Sequence, residues 1–426
     1  MSQPTRSSDV IVVGAGPAGS VAATMLARAG VRVTLLDRAR FPRDKICGDA
    51  VGLDAVRILR RLDLVQSLHD AGAVPISETL ITSPEGKRAR FIAPPAPAYK
   101  RGFILPRMVL DLALAEAAVK AGATLIEEFK VQAPILEDGR VKGVEGITEN
   151  GGTASFRAPV VIAADGAHSV LVRALGLRPA RSGGRAFAVR AYYEGAEGLG
   201  STLELHYIRE ILPAYGWIFP TGPSTANVGI GVWGGEGESK RLRALFDSFV
   251  NEHPASRERL GRARAVSPVR GWPLDLGNNA GRSSAAGLLV IGDAASFVDP
   301  ITGEGIGTAL VSAELAVHTA LKILERGEFS ERAFREYDRA WRRKLGWDFR
   351  GGVALQHLLA RPRAVETVVG RAAKDEVIAA VLSSIVGGAI PKYIAFHPLV
   401  LARFAFGKRV PVPGPRRRRG APSPRS

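Results

Sequence analysis

Cysteine is nearly absent from this chain. One thiol, Cys47, stands among 426 residues, so no intrachain disulfide can form and a reducing compartment suits the composition. No Cys/His spacing for zinc is present. No RNA-binding signature accompanies the positive charge, so nucleic acid is not an expected partner. No apolar run is long and unbroken enough to span a bilayer. The stretch 11–27 is interrupted by Gly14, Gly16, Pro17 and Gly19, and the stretch 377–410 by Gly387, Gly388, Pro391 and Lys392. The opening MSQPTRSSDV holds no apolar signal core, which leads to the expectation of a cytoplasmic protein. Acid is missing from the last nineteen residues, which carry seven of the seventeen net positive charges.

What is present is a chain with 46% hydrophobic residues and 48 glycines, enough for a sizeable core and many tight turns. The Pro-, Gly- and Arg-rich stretch 408–426 is expected to be a disordered basic tail. It serves as a solubilising tail or as a contact for anionic membrane. Phe396, Leu399, Phe404 and Phe406 stand beside Arg403, Lys408 and Arg409. That mixture suits either core-capping helices or a peripheral contact at the inner face of a membrane.

The segment SDVIVVGAGPAGSVAATMLARAGVRVTLLDRAR reads as strand, turn, helix and strand. Val10–Val13 is a buried strand, residues 20–29 a helix ended by Gly30, and residues 31–36 a second strand. The turn is Gly14-Ala15-Gly16-Pro17-Ala18-Gly19, a G-x-G-x-x-G. Gly14 permits the tight turn, Gly16 lets a pyrophosphate approach the backbone, and Gly19 allows close helix–strand packing. The helix N-terminus offers unpaired N–H groups to phosphates. Asp37, 23 residues after Gly14, is placed to accept ribose hydroxyls, with Arg38 beside it. This is a dinucleotide site. No second G-x-G-x-x-G follows a strand, so any nicotinamide binds transiently.

Two later segments choose the dinucleotide. Strand Val160–Ala163 precedes Asp165-Gly166. Strand 288–291 precedes Gly292-Asp293 and a long helix starting near Gly305. These resemble the DG and GD motifs of glutathione-reductase-like flavoproteins, and more narrowly the p-hydroxybenzoate-hydroxylase-like group. The resemblance implies FAD. It implies that Asp293 holds the ribityl chain and that the backbone of Gly305 and Ile306 faces the flavin pyrimidine ring. A helix N-terminus there suits the negative charge of a reduced flavin. It also implies that Arg107, heading the next helix, reaches the cofactor, and that Val131 lies against the adenine. The plainer alternatives are a turn carboxylate for Asp293 and a surface helix residue for Arg107.

The stretch DKICGDAVG narrows the resemblance. D-K-x-C-G-D-[AG] is similar to the mark of the geranylgeranyl reductase family, FAD-dependent enzymes that saturate isoprenoid double bonds. Carried over, Cys47, Gly48 and Ala50 sit beside the isoalloxazine. Cys47 is the candidate catalytic residue, as a proton donor or a modulator of the flavin; the alternative is a small packing residue. The family pattern Y-x-W-x-F-P matches Tyr215, Trp217, Phe219 and Pro220. At period two the three aromatics share one strand face, as the wall of a long apolar pocket or as ordinary core. One departure stands in the later turn, where Gly303-Glu304-Gly305 replaces the three glycines frequent in archaeal members. His168 and His206 are left without a role, His206 on a strand that faces the pocket.

The expected fold is α/β. A Rossmann-like FAD-binding domain (1–75, 100–180 and 280–330) is interleaved with an antiparallel substrate-binding sheet (76–100 and 181–279). A helical region follows at 331–407. The expected strands of the sheet are 186–193, 202–208, 216–219 and 227–233. The resemblance implies a reductase of isoprenoid double bonds, with NAD(P)H or a small redox carrier as electron donor. A flavin monooxygenase acting on an aromatic or polyketide-like substrate shares the fold. A non-enzymatic membrane or nucleic-acid adaptor would use the tail alone, and an intact FAD site argues against it.

Overall fold

The computed structural model describes residues 6–177, 184–234 and 238–407. The expected basic tail, 408–426, lies outside the described residues.

Four fully buried apolar strands form the centre of a six-stranded, mostly parallel sheet. Its order is Ser284–Ala285, Leu288–Val290, Val160–Ala163, Val10–Val13, Val33–Leu36 and Thr124–Ile126, with only the first pair antiparallel. Continuous apolar strands are what a sheet covered on both faces requires. Helix Pro17–Arg28 packs between this sheet and helix Ile306–Arg326. The first helix starts earlier than the pattern predicts, because Pro17 presets the backbone at the first helical position.

Two strands follow helix Arg107–Lys120. Thr124–Ile126 closes the parallel sheet. Glu128 then takes a left-handed turn at φ +57°, and Phe129–Glu137 enters a separate sheet. There it pairs with Arg140–Thr148, which pairs with Thr153–Arg157 and through it with Arg6–Ser7. The break falls on the paired acids Glu127-Glu128, which interrupt the apolar pattern.

The third layer is a large, mostly antiparallel sheet. Arg185–Glu194, Thr225–Trp233, Tyr215–Pro220, Thr202–Tyr207, Glu78–Thr82 and Arg88–Ile92 follow in order. Arg270–Asp275 pairs on the outer side of Arg185–Glu194. One face carries helices Glu238–Glu252 and Pro254–Leu260, packed on Ile218, Val228 and Ile230. The other face meets helices Pro362–Ala372 and Glu376–Val386 and the cavity described next. The C-terminal region is helical as expected, led by the 29-residue helix Glu331–Leu359. Among the described residues, one helix, Ile306–Arg326, is long and apolar enough to cross a membrane, and most of it is buried in the core.

Candidate active site

A cavity of about 620 Å3 is lined from one side by the carboxyl ends of the parallel strands and from the other by the large sheet. Ligands of open α/β sheets bind at that end of the strands. Gly14 sits at φ +100°, and a Cβ there would stand 2.3 Å from the Ala164 carbonyl oxygen. A Cβ on Gly19 would stand 1.8 Å from the Gly14 carbonyl oxygen. Both glycines are therefore required by packing. Gly16 differs, because its open side faces only guanidinium groups, those of Arg43 and Arg107, each 3.8 Å from a built Cβ.

Those two arginines are held by one carboxylate. Asp111, fully buried, takes both Nε and a terminal nitrogen of Arg107 (2.6 and 2.7 Å) and a terminal nitrogen of Arg43 (2.9 Å). Burial works against the Arg107 charge, and Asp111 overrides it, so the guanidinium stays ionised. Arg43 also lies 3.7 Å from Asp37, so both guanidiniums face the turn with their charge balanced by Asp111 and Asp37. Asp37 accepts the Ala15 N–H (2.7 Å) and the Ala39 N–H (2.9 Å), bracing the turn while lining the cavity. An open glycine, an N-terminus without side-chain cap and paired guanidiniums fit a dianionic pyrophosphate.

The far wall is apolar. Tyr215, Trp217 and Phe219 line it, their rings 6.4 and 6.1 Å apart along the strand, with Leu203 and Leu205 from the next strand. The indole of Trp217 lies across the neighbouring strand because residue 229 is glycine; a Cβ there would meet it at 2.2 Å. Since Leu203 and Leu205 face the cavity, His206 faces away. It packs against Phe249 and His253 and hydrogen-bonds Thr82, although its strand faces the cavity through Leu203 and Leu205.

The cysteine loop joins the two walls. Gly48 sits on the strip, a built Cβ falling 3.4 Å from the Phe219 ring and 3.7 Å from Trp217 Nε1. Asp49 turns inward at φ +65° and is fully buried. It accepts from Tyr192 Oη (2.7 Å) and Asn227 Nδ2 (2.7 Å). Asn227 also donates to the Cys47 carbonyl (2.7 Å) and accepts from Trp217 Nε1 (3.0 Å). Burial, only partly offset by the Tyr192 and Asn227 hydrogen bonds, pushes Asp49 up to about 6. Burial likewise pushes the Cys47 thiol up, against the pull of Arg107, so it stands protonated at the cavity wall.

Lys45 closes the loop onto the later motif, 3.5 Å from Asp293 and over the Trp272 ring. Asp165 accepts the Val170 N–H and fixes its own turn, with His168 edge-on to Trp272. Of the expected site residues, Gly14, Gly16, Pro17, Ala18, Asp37, Arg38, Cys47, Gly48, Ala50, Arg107, Val131, Asp293, Gly305, Ile306, Tyr215, Trp217 and Phe219 line one cavity. Ala15, Gly19 and Pro220 are not on its wall. The first two shape the turn from behind, and Pro220 ends its strand. Sequence reasoning passed over Arg43, Asp49 and Asn227. Asp49 lay inside the quoted motif. Asn227 was signalled as the lone amide in an apolar strand.

Residues 7–349 match the family described as FAD binding domain. A digeranylgeranylglycerophospholipid reductase from Methanoculleus marisnigri is 33% identical over 339 residues, 78% of this chain and 81% of that protein. The chain belongs to the geranylgeranyl reductase family of FAD-dependent oxidoreductases. Two solved structures share the fold. A geranylgeranyl bacteriochlorophyll reductase-like protein from Thermoplasma acidophilum has a TM-score of 0.79 at 24% identity, covering 90% of this chain and 96% of that one. The myxobacterial chondrochloren halogenase has a TM-score of 0.72 at 23% identity, covering 93% of each chain. FAD is thus the cofactor that the open glycine turn and the Arg43–Arg107 pair accommodate.

Proposed function

We propose that this enzyme reduces carbon–carbon double bonds in the prenyl chain of an isoprenoid lipid, prenyl diphosphate or menaquinone. The observation that carries the reading is the aromatic strip Tyr215–Trp217–Phe219 pressed against the Cys47–Gly48 loop, in a cavity continuous with the dinucleotide turn. An isolated alkene is not polarised, so it must be held dry and in line with the hydride donor. FAD, when bound and reduced, supplies that hydride.

The chain's own residues do the rest. Trp217 and Phe219 offer an apolar surface on which each buried CH2 is worth about 0.8 kcal/mol. Asn227 satisfies the indole N–H, so the strip presents carbon and not an unpaired donor. Arg43 and Arg107 bind the pyrophosphate of the cofactor. The protonated Cys47 thiol adjusts the surroundings of the flavin without adding charge. The electron donor is a nicotinamide or a small carrier that visits the site transiently.

A peripheral membrane contact belongs to the same reading. Trp347 (64% exposed) and Phe406 (72%) stand out from the C-terminal helices with Tyr393 and Leu401, and Arg350 lies over the Trp347 ring. Co-sedimentation with vesicles containing phosphatidylglycerol, lost on Trp347→Ser with Phe406→Ser, tests it.

The main test is anaerobic. Dithionite-reduced protein is mixed with geranylgeranyl diphosphate or a menaquinone. Flavin reoxidation with a product two mass units heavier is expected. Reoxidation only on admitting air, with an oxygenated aromatic product, would replace the reading by the monooxygenase one.

A further inference from the structure

Alkene reduction needs a proton for every hydride, and the turn that follows Asp293 holds a carboxyl suited to give it. Glu304 lies on the cavity wall between Gly303 and Gly305. Its Oε1 accepts the Gly307 N–H, and among the described residues no hydrogen bond reaches Oε2. Asp54, from helix Leu53–Arg61, presses on the same glycine from behind; a Cβ on Gly307 would stand 2.3 Å from both of its carboxylate oxygens. Gly388 leaves room for Asp54 in the same way, at 2.9 Å. Two carboxyls therefore flank one glycine, Glu304 bound to its N–H at the cavity and Asp54, which accepts the Ala55 N–H, against its Cα side.

The charges around them are accounted for. Lys392 is bound by Asp299 (2.8 Å) and by Asp348 (3.0 Å) from helix Glu331–Leu359. Asp299 is held below the usual carboxylate range by Lys392 despite its burial. Lys392 still draws on Glu304 and Asp54 through space, but its direct ion pairs go to Asp299 and Asp348. Tyr215, the remaining titratable neighbour, donates its hydroxyl to the Thr302 carbonyl and stays neutral. Burial, then the Asp54 carboxylate, pushes Glu304 up to about 8, and burial raises Asp54 as well. Glu304 and Asp54 are half-buried and each disfavours ionisation of the other, so the pair keeps a proton at neutral pH.

We propose that Glu304 delivers the proton that completes alkene reduction, with Asp54 as the positioning residue that shares and restores it. This rests on the alkene-reduction reading above. The alkene π pair takes the Glu304 proton to form one C–H bond, and the hydride from reduced FAD forms the other. The products are the saturated bond, oxidised FAD and a Glu304 carboxylate. That carboxylate regains its proton from solvent by way of Asp54. The two electrons come from the external donor that reduced the FAD.

The test uses the full-length holoenzyme and three variants, Glu304→Gln, Glu304→Asp and Asp54→Asn. Glutamine keeps the acceptor for Gly307 and lacks the acid proton, so FAD content and dithionite reduction should match wild type. Reoxidation by geranylgeranyl diphosphate should slow by roughly a hundredfold or more in Glu304→Gln, the range of a lost general acid. Glu304→Asp should recover part of it. The wild-type rate should fall as pH rises through about 8, and Asp54→Asn should shift that inflection. Independently of turnover, the infrared difference spectrum between neutral and alkaline pH should contain a protonated carboxyl C=O band that Glu304→Gln removes. A Glu304→Gln rate within threefold of wild type, or no such band, overturns the proposal and leaves Glu304 as a helix cap. Wild-type protein that no prenyl substrate reoxidises overturns the alkene reading itself, and this assignment with it.

Discussion

Asn227→Ala should be among the most costly single changes in this protein. The side chain is fully buried and makes three hydrogen bonds, to the Cys47 carbonyl, to Asp49 and from Trp217 Nε1. Removing it strands the indole N–H and the Cys47 carbonyl, each at about 1–3 kcal/mol. Asp49 keeps Tyr192 but loses one charge-assisted partner, worth about 1.5–3 kcal/mol. The three effects share one network and do not add fully, so a total of about 3–6 kcal/mol is expected. That is a large part of a typical folding free energy of about 5–15 kcal/mol. Urea unfolding of the FAD-loaded protein, followed by tryptophan fluorescence, measures it. Flavin reoxidation by substrate should slow as well, because the Cys47 loop and the aromatic strip lose their common tie. A loss below about 1 kcal/mol, with unchanged reoxidation, would show that the loop is held by other contacts and would refute the network as the joint of the site.

Other outcomes follow from the same geometry. Gly19→Ala drives a Cβ into the Gly14 carbonyl, and the purified protein should lack flavin absorbance. Arg43→Ala leaves Arg107 paired with Asp111 and should weaken FAD binding roughly ten- to hundredfold, read by flavin fluorescence titration, with little loss of apo-protein stability. Asp49 has its folded pKa raised to about 6, so its contribution favours the fold below the unfolded value of about 4 and is lost as pH rises to about 6. Asp49→Asn should remove that fall, about 3 kcal/mol, from the difference between the two urea stability profiles. Cys47→Ser exchanges the thiol beside Arg107 for a smaller hydroxyl and should slow reoxidation by substrate several-fold without moving its pH profile; an unchanged rate would reduce Cys47 to packing.

The dinucleotide half was legible because its chemistry is local. Gly14, Gly19 and Asp37 act on each other within one strand–turn–helix–strand unit, so their spacing carries their roles. The period-two aromatics were legible for the same reason, since neighbours on a strand face are fixed by the pleat. Asn227 and Cys47 are 180 residues apart, and nothing in either segment announces the other. Arg43 looked like one arginine among many until Asp111, 68 residues later, set it over Gly16. His206 was left without a role because its strand is buried on both sides, so burial alone does not identify the inner face. The pairing of Glu304 with Asp54 depends on how one helix crosses another, which no local pattern encodes.

Helices Pro17–Arg28 and Ile306–Arg326 pack on each other and both begin at the cavity, at Gly16 and Gly305. Their positive ends therefore crowd one region of space, with the cations Arg43, Arg107 and Lys45 nearby. Asp111, Asp37 and Asp293 balance those cations, and a dianionic cofactor gains from the two helix N-termini. FAD is then a structural member of the protein as much as a reagent, and its binding adds to folding stability in proportion to the logarithm of its free concentration over Kd. A cell short of flavin would lose this enzyme twice, as empty sites and as unfolded chains cleared by proteolysis. Abundance of the protein would follow the flavin supply with no regulatory device dedicated to it.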